Sequence, residues 1–289
     1  MREKISYNAV ANLAVTTFPV LIGFFLTPFI VHQLGDSAYG IWALSLALLG
    51  FSGFLDLGLT PTVLKKTAEY IATGEKDELV TTCSTILVLY SGLGLGVIIA
   101  FFLISKFSFT TWFNIPPELE ETARTAFFIL GVQAGIRFPL QLFHGIVQGM
   151  QKFGFRAAVI SSTVILRALL IVAFLSQGRG LIALLLIDFG VQLLQSACFA
   201  LYVFWRLPSF AIKFSQVHWV KVKRLLAFSS QVFVLQISAL LILQSDKVII
   251  GAFLPIAAVT IYEIGLKIHD VIRSLVASVQ AVILPAASE

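Results

Sequence analysis

From Ile5 to Gly35 the chain carries 31 consecutive residues without an Asp, Glu, Lys or Arg, and uncharged runs recur from Leu79 to Ser105 and from Leu225 to Ser245. An α-helix rises about 1.5 Å per residue, so roughly 20 apolar residues cross the hydrocarbon of a bilayer. Each run is long enough. The alternation of apolar runs and polar punctuation predicts eight helices, at about 9–33, 38–63, 80–104, 122–146, 155–176, 181–205, 225–251 and 256–284. The fold class is therefore an all-α polytopic membrane protein. Pro19 and Pro28 in the first helix and Pro139 in the fourth predict kinks.

Composition agrees with that reading. Hydrophobic residues make up 58% of the 289 and charged residues 12%, with a mean hydropathy of +0.95. That is too little polar surface to cover a soluble domain of this length. The net charge of +5 comes with no basic patch interleaved with aromatics, so nucleic acid is not an expected partner. The positive residues lie instead in the connections. Assigned to alternate sides, twelve Lys and Arg fall on the side of the N-terminus and three on the other. By the positive-inside rule the N-terminus and the 206–224 segment are cytoplasmic and the 105–121 loop faces outward. The expected location is the cytoplasmic membrane.

Cys83 and Cys198 fall inside predicted spans without metal-like spacing and are read as core residues. No metal, no cofactor and no catalytic residue is expected, since no HExxH, GxSxG or phosphate-loop sequence occurs. Gly92, Gly94 and Gly96 lie within a helix with no preceding strand. The pairs Gly131/Gly135 and Gly145/Gly149 have the spacing that lets membrane helices approach closely.

A faint internal repeat sets Leu34–Trp42 against Leu254–Tyr262 at an offset of 220 residues. Each is the tight outer turn between two spans. Such a repeat fits a carrier built of two parallel six-helix halves. The expected organisation is a six-helix bundle over 1–205, a cytoplasmic amphipathic linker over 206–224, and the first two helices of a second bundle over 225–289. A transporter of 12–14 helices would then be truncated here.

A charge at the bilayer centre costs about 2.5–3.5 kcal/mol or more, so each one needs a partner or a watery cavity. Arg167 and Asp188 lie at similar depth on adjacent helices, as do Asp56 and Arg137, and both pairs are candidate structural ion pairs. Asp246-Lys247 sits near the outer interface, where Lys can snorkel. Glu263, Lys267, Asp270 and Arg273 follow at steps of four, three and three on one face of the last helix. Self-neutralisation by Glu263 and Lys267 accounts for part of that stripe; the stronger expectation is that it lines a hydrated central cavity.

Four stretches carry a resemblance to a known family. They are Leu34-Gly35 through Tyr39-Gly40; Asp56-Leu57-Gly58-Leu59 with the basic Lys65-Lys66 and Gly74–Asp77; Phe113–Glu118 with Gly149–Phe153; and Asp246–Gly251 leading through Tyr262 to Pro285. In this order the chain resembles the polysaccharide-biosynthesis flippases of the multidrug/oligosaccharidyl-lipid/polysaccharide exporter superfamily. The resemblance implies twelve to fourteen helices in two bundles around a cavity, moving polyprenyl-linked oligosaccharide across the membrane. Its implied partners are that substrate, membrane lipid, a glycan polymerase and glycosyltransferases. A pyrophosphate at membrane depth needs cations, which Arg supplies through several donors at once; Arg137, Arg167, Lys267 and Arg273 are the expected holders. Asp56, Asp188, Glu263 and Asp270 are then ion-coupling or pairing residues. Related lipid II exporters carry an arginine in the first helix, whereas here that helix has none within the membrane. The alternatives are a cation-coupled multidrug exporter using Asp56, Asp188 and Glu263, and a non-transporting scaffold for glycan assembly.

Overall fold

The computed structural model describes residues 2–52, 56, 58–107, 112–208, 210–213 and 245–287. Its elements are α1 (Arg2–Leu34), α2 (Asp36–Ser52), α3 (Leu59–Thr73), α4 (Lys76–Phe107), α5 (Glu120–Gly149), α6 (Phe153–Leu175), α7 (Leu181–Arg206), α8 (residues 245–253) and α9 (Ala257–Ala287). No strand occurs among the described residues. Five of the helical stretches are long and apolar enough to cross a membrane: Thr17–Leu34, Lys76–Lys106, Pro117–Gly149, Phe153–Leu175 and Leu181–Arg206. Their outward faces carry large apolar side chains in the open, including Leu95, Ile99 and Phe102 on α4 and Leu186, Leu194 and Leu201 on α7. A contiguous apolar girdle of that kind is a lipid-facing surface.

The second predicted span does not form as one helix. The sequence gives 38–63 enough apolar residues for a single span, but α2 stops at Ser52 and α3 begins at Leu59. Gly58 takes up a left-handed φ of 71° and ends the helical path, a conformation that costs Gly nothing. Asp56 is buried at this break. Its carboxylate accepts from Thr60 Oγ1 at 2.8 Å and from the Tyr90 hydroxyl on α4. The predicted 64–79 loop is mostly helix as well. It shrinks to a turn at Gly74, whose left-handed φ of 80° lets its N–H reach the Tyr70 carbonyl at 2.8 Å. The seventh predicted helix, 225–251, falls largely outside the described residues, as does most of the 206–224 linker. Helix assignment runs without interruption through Pro19, Pro28 and Pro139.

The long α5 is the hub, packed against α2, α3, α4 and α7, while α1 packs on α6 and α9. Its glycines set how near its neighbours come. Gly135 lies directly against Gly94 of α4, Gly131 faces Phe101, and Gly145 and Gly149 face Val63 and the 64–67 turn of α3. Without side chains at these points, backbones approach closely and dispersion contacts replace the hydrophobic drive that lipid cannot supply. At the face opposite the N-terminus, three segments are sewn together. Asn114 pairs through its backbone with residues around Pro255: its N–H donates to the Gly251 carbonyl at 3.4 Å, and its carbonyl accepts from Ile256 N–H at 3.3 Å. Thr260 Oγ1 donates to the Asp36 carbonyl at 2.6 Å, and Gly40 lies flush against the Ile256 carbonyl. The two turns of the sequence repeat are thus in direct contact.

The close α4–α5 approach makes a prediction. Gly94→Ala places a methyl group into the Gly135 backbone and should destabilise the protein by about 1–3 kcal/mol. Gly96→Ala meets nothing within 4 Å and should be neutral. Thermal unfolding in detergent is the measurement: a lowered midpoint for the first variant only is expected, and equal midpoints would show that the seam is not tightly packed.

Candidate functional site: a polar cavity around Arg137

A cavity of about 430 Å³ lies among α5, α6 and α7, with Thr60 of α3 contributing to its wall. The sequence builds it from helical periodicity. On α5, Arg137, Gln141, His144 and Gln148 recur at intervals of four, three and four. On α7, Asp188, Gln192, Gln195 and Phe199 recur at the same intervals, and Thr163 and Arg167 sit one turn apart on α6. That spacing keeps each set on one face of its helix, so polar stripes converge while apolar residues face outward.

Two charges in the wall neutralise each other. Arg167 donates through Nε to Asp188 Oδ1 at 2.6 Å and through a terminal nitrogen to Oδ2 at 3.1 Å. This is the two-pronged guanidinium–carboxylate geometry that gives the strongest side-chain pairs. It is the pairing anticipated from their shared depth. Arg137 behaves differently. Its side chain is exposed to the cavity, and it forms no ion pair with Asp56. The pair read from their shared depth does not close into a salt bridge, because Asp56 is turned towards the hydroxyls of Thr60 and Tyr90, although its charge still attracts the guanidinium across the gap. Gln141 Nε2 donates to Thr60 Oγ1 at 2.9 Å and ties the α5 stripe to that cluster. Arg156 donates to His144 Nε2 at 3.2 Å, and the His144 ring stacks on Phe199 at 4.7 Å. Towards the far side, Gln133 Nε2 donates to Gln192 Oε1 at 2.9 Å.

The stripe on α9 lies elsewhere. Glu263 is buried and takes two lysines: Lys247 Nζ at 2.5 Å and Lys267 Nζ at 3.0 Å. Lys247 therefore points into the protein at Glu263 instead of snorkelling outward, and its neighbour Asp246 accepts from the Tyr262 hydroxyl. Asp270 lies 3.9 Å from His269 at a half-exposed position, and Arg273 is exposed. Lys267 and Arg273 do not line the cavity that holds Arg137 and Arg167. The structure thus brings two of the four expected cations together. Outside the spans, Lys66 donates to Glu69 at 2.7 Å. That hydrogen bond raises the lysine pKa and lowers that of the carboxylate, but an exposed pair of this kind adds little stability.

Sequence reasoning centred on charge missed the glutamines. Gln141, Gln148, Gln192 and Gln195 supply most of the uncharged polar lining. The signal was present as spacing: on α5 and α7 they share a helical face with the ionisable residues.

Comparisons with known proteins agree with this architecture. A "Putative O-antigen transporter" of Shigella flexneri is 27% identical over 148 residues, which are 51% of this chain and 34% of that protein. Among solved structures, the MATE multidrug transporter DinF-BH superposes with a TM-score of 0.72 at 14% identity. That match covers 99% of this chain and 64% of the transporter chain. The chain thus spans about a third of the length of the curated relative and about two thirds of the solved one, and at this identity the structural likeness concerns the fold. The polysaccharide biosynthesis protein family matches residues 4–289. With nearly its whole length matched, the chain belongs to the polysaccharide biosynthesis protein family.

Proposed function

We propose that this protein is a flippase that moves polyprenyl-pyrophosphate-linked oligosaccharide units across the cytoplasmic membrane for cell-surface polysaccharide, from an N-terminal side that faces the cytoplasm. The observation that carries this reading is the charge state of the cavity: Asp188 is taken by Arg167, while Arg137 has no ion-pair partner among the described residues. A guanidinium in that setting favours an anionic guest, and a pyrophosphate offers it several oxygens at once. The family match and the exporter-like fold support the same assignment. Arg137 holds the pyrophosphate in this reading. Arg167 offsets the charge of Asp188 beside it and can lend its remaining N–H donors. Arg273, exposed nearer the N-terminal face, meets the lipid head as it arrives. Lys267 and Lys247 together neutralise Glu263, and Asp270 offsets charge in the part of the same stripe nearer the N-terminal face. The bundle over 1–205 forms one half of the carrier, and residues 225–289 begin the other. Glycosyltransferases and a polymerase supply and consume the cargo.

Export of cationic drugs is the competing reading. It needs an acid open to the cavity. Asp188 and Glu263 are each held by a cation, and Asp56 by two hydroxyls. A pure scaffold would have no use for an arginine that faces a polar cavity at membrane depth without an ion-pair contact among the described residues.

Arg137→Gln should abolish export of surface glycan in cells while the protein keeps its normal abundance in the membrane. Retained export at normal abundance would remove Arg137 from the site. For α9 the account gives an ordering of variants. Lys267→Gln leaves Lys247 on Glu263 and should lower abundance only slightly. Glu263→Gln strands two lysines and should cost about 3–5 kcal/mol, the penalty for breaking a buried pair. Immunoblots of membrane fractions measure both; a larger loss for Lys267→Gln than for Glu263→Gln would contradict the shared-lysine arrangement.

A further inference from the structure

Once the ion pair is set aside, carboxamides are the most numerous polar groups of the cavity wall. Gln141 spends one N–H on Thr60 and Gln192 is tied to Gln133. Gln148 and Gln195 have no partner among the described residues and are only partly exposed. A carboxamide presents donor and acceptor side by side, as does a sugar hydroxyl or an acetamido group. Both amides are open to the cavity and unspent within the protein, so their donors and acceptors stand available to a polar, uncharged guest. Phe199 and Val191 complete the wall with apolar surface, giving the mixture of apolar body and a few placed polar groups that small-molecule sites share.

The charges nearby decide which sugars fit. Arg167 is committed to Asp188, and Arg156 donates to His144. Arg137 is the cation in the cavity wall that remains for the pyrophosphate. With Arg137 on the pyrophosphate, a uronic acid in the same space would face no second cation outside an ion pair among the lining residues. From Arg137 to Gln148 is eleven residues along α5, or about 16 Å at the helical rise. That length accommodates a diphosphate and the sugars next to it, with the glycan directed towards the N-terminal face.

We propose that Gln148 and Gln195, assisted by Gln141, form a subsite for the uncharged, hydroxyl- or acetamido-bearing sugar joined to the lipid pyrophosphate. This rests on the flippase reading, and the test separates the two claims. The purified full-length protein is titrated in detergent with farnesyl pyrophosphate and with farnesyl-pyrophosphoryl-N-acetylglucosamine. The wild type should bind the sugar-bearing probe more tightly. Gln148→Met combined with Gln195→Met should erase an advantage of about tenfold, the worth of two ordinary neutral hydrogen bonds, and leave farnesyl pyrophosphate unaffected. Intact binding of that bare lipid also reports that the variant is folded. Should both probes weaken together, the single variant Gln195→Met decides, since it removes an amide with no partner among the described residues. A full sugar advantage in that variant, or equal binding of both probes by the wild type, overturns the subsite while the pyrophosphate reading stands. Failure of the wild type to bind either probe overturns both.

Discussion

The structure is organised by the cost of placing charge inside a membrane. Hydrocarbon offers no counter-charge and little water, so every ionised side chain at that depth needs a partner or a wet cavity. Arg167 and Asp188 close on each other across α6 and α7. Glu263 gathers Lys247 from α8 and Lys267 from its own helix. Asp56, turned inward at the helix break, is satisfied by hydroxyls from Thr60 and Tyr90. Against that background Arg137 is distinctive because it faces the cavity without an ion-pair contact among the described residues.

The arrangement rests on close helix packing. Glycines on α5 bring that helix against α4 and α3, while its polar stripe faces the cavity it shares with α6 and α7. On the face opposite the N-terminus, Asn114, Thr260 and Gly40 join the α1–α2 turn, the segment before α5 and the α8–α9 turn. A few backbone and side-chain hydrogen bonds hold this seam.

Much of this was legible in the sequence. Apolar runs located the spans in α1, α4, α5, α6 and α7, small-residue spacing located close approaches of α5, and equal depth on neighbouring helices located the Arg167–Asp188 pair. Residues 38–63 were misread because counting apolar residues cannot see a single Gly58 that leaves the helical region. The lysine pair on Glu263 was half visible. Lys267 is one turn away on the same helix, but Lys247 comes from another helix, and only packing brings it near. The amides escaped because a search for intramembrane charge passes over glutamine, although Gln141, Gln148, Gln192 and Gln195 keep step with Arg137 and Asp188 along their helices. Patterns within one helix were readable; choices among partners on different helices needed the fold.

The central claim is that Arg137 stands in a water-filled cavity that receives the anionic part of a lipid-linked substrate. Thiol accessibility tests this directly. In a background with Cys83→Ala and Cys198→Ala, single cysteines at Arg137 and Gln195 should react with a water-soluble methanethiosulfonate reagent, while cysteines at the lipid-facing Leu95 and Leu169 should not. With the native arginine at 137, farnesyl-pyrophosphoryl-N-acetylglucosamine should slow the reaction at Gln195→Cys. Unreactive cysteines at both cavity positions, or reaction at Gln195→Cys that this sugar-bearing pyrophosphate leaves unchanged, would contradict the account.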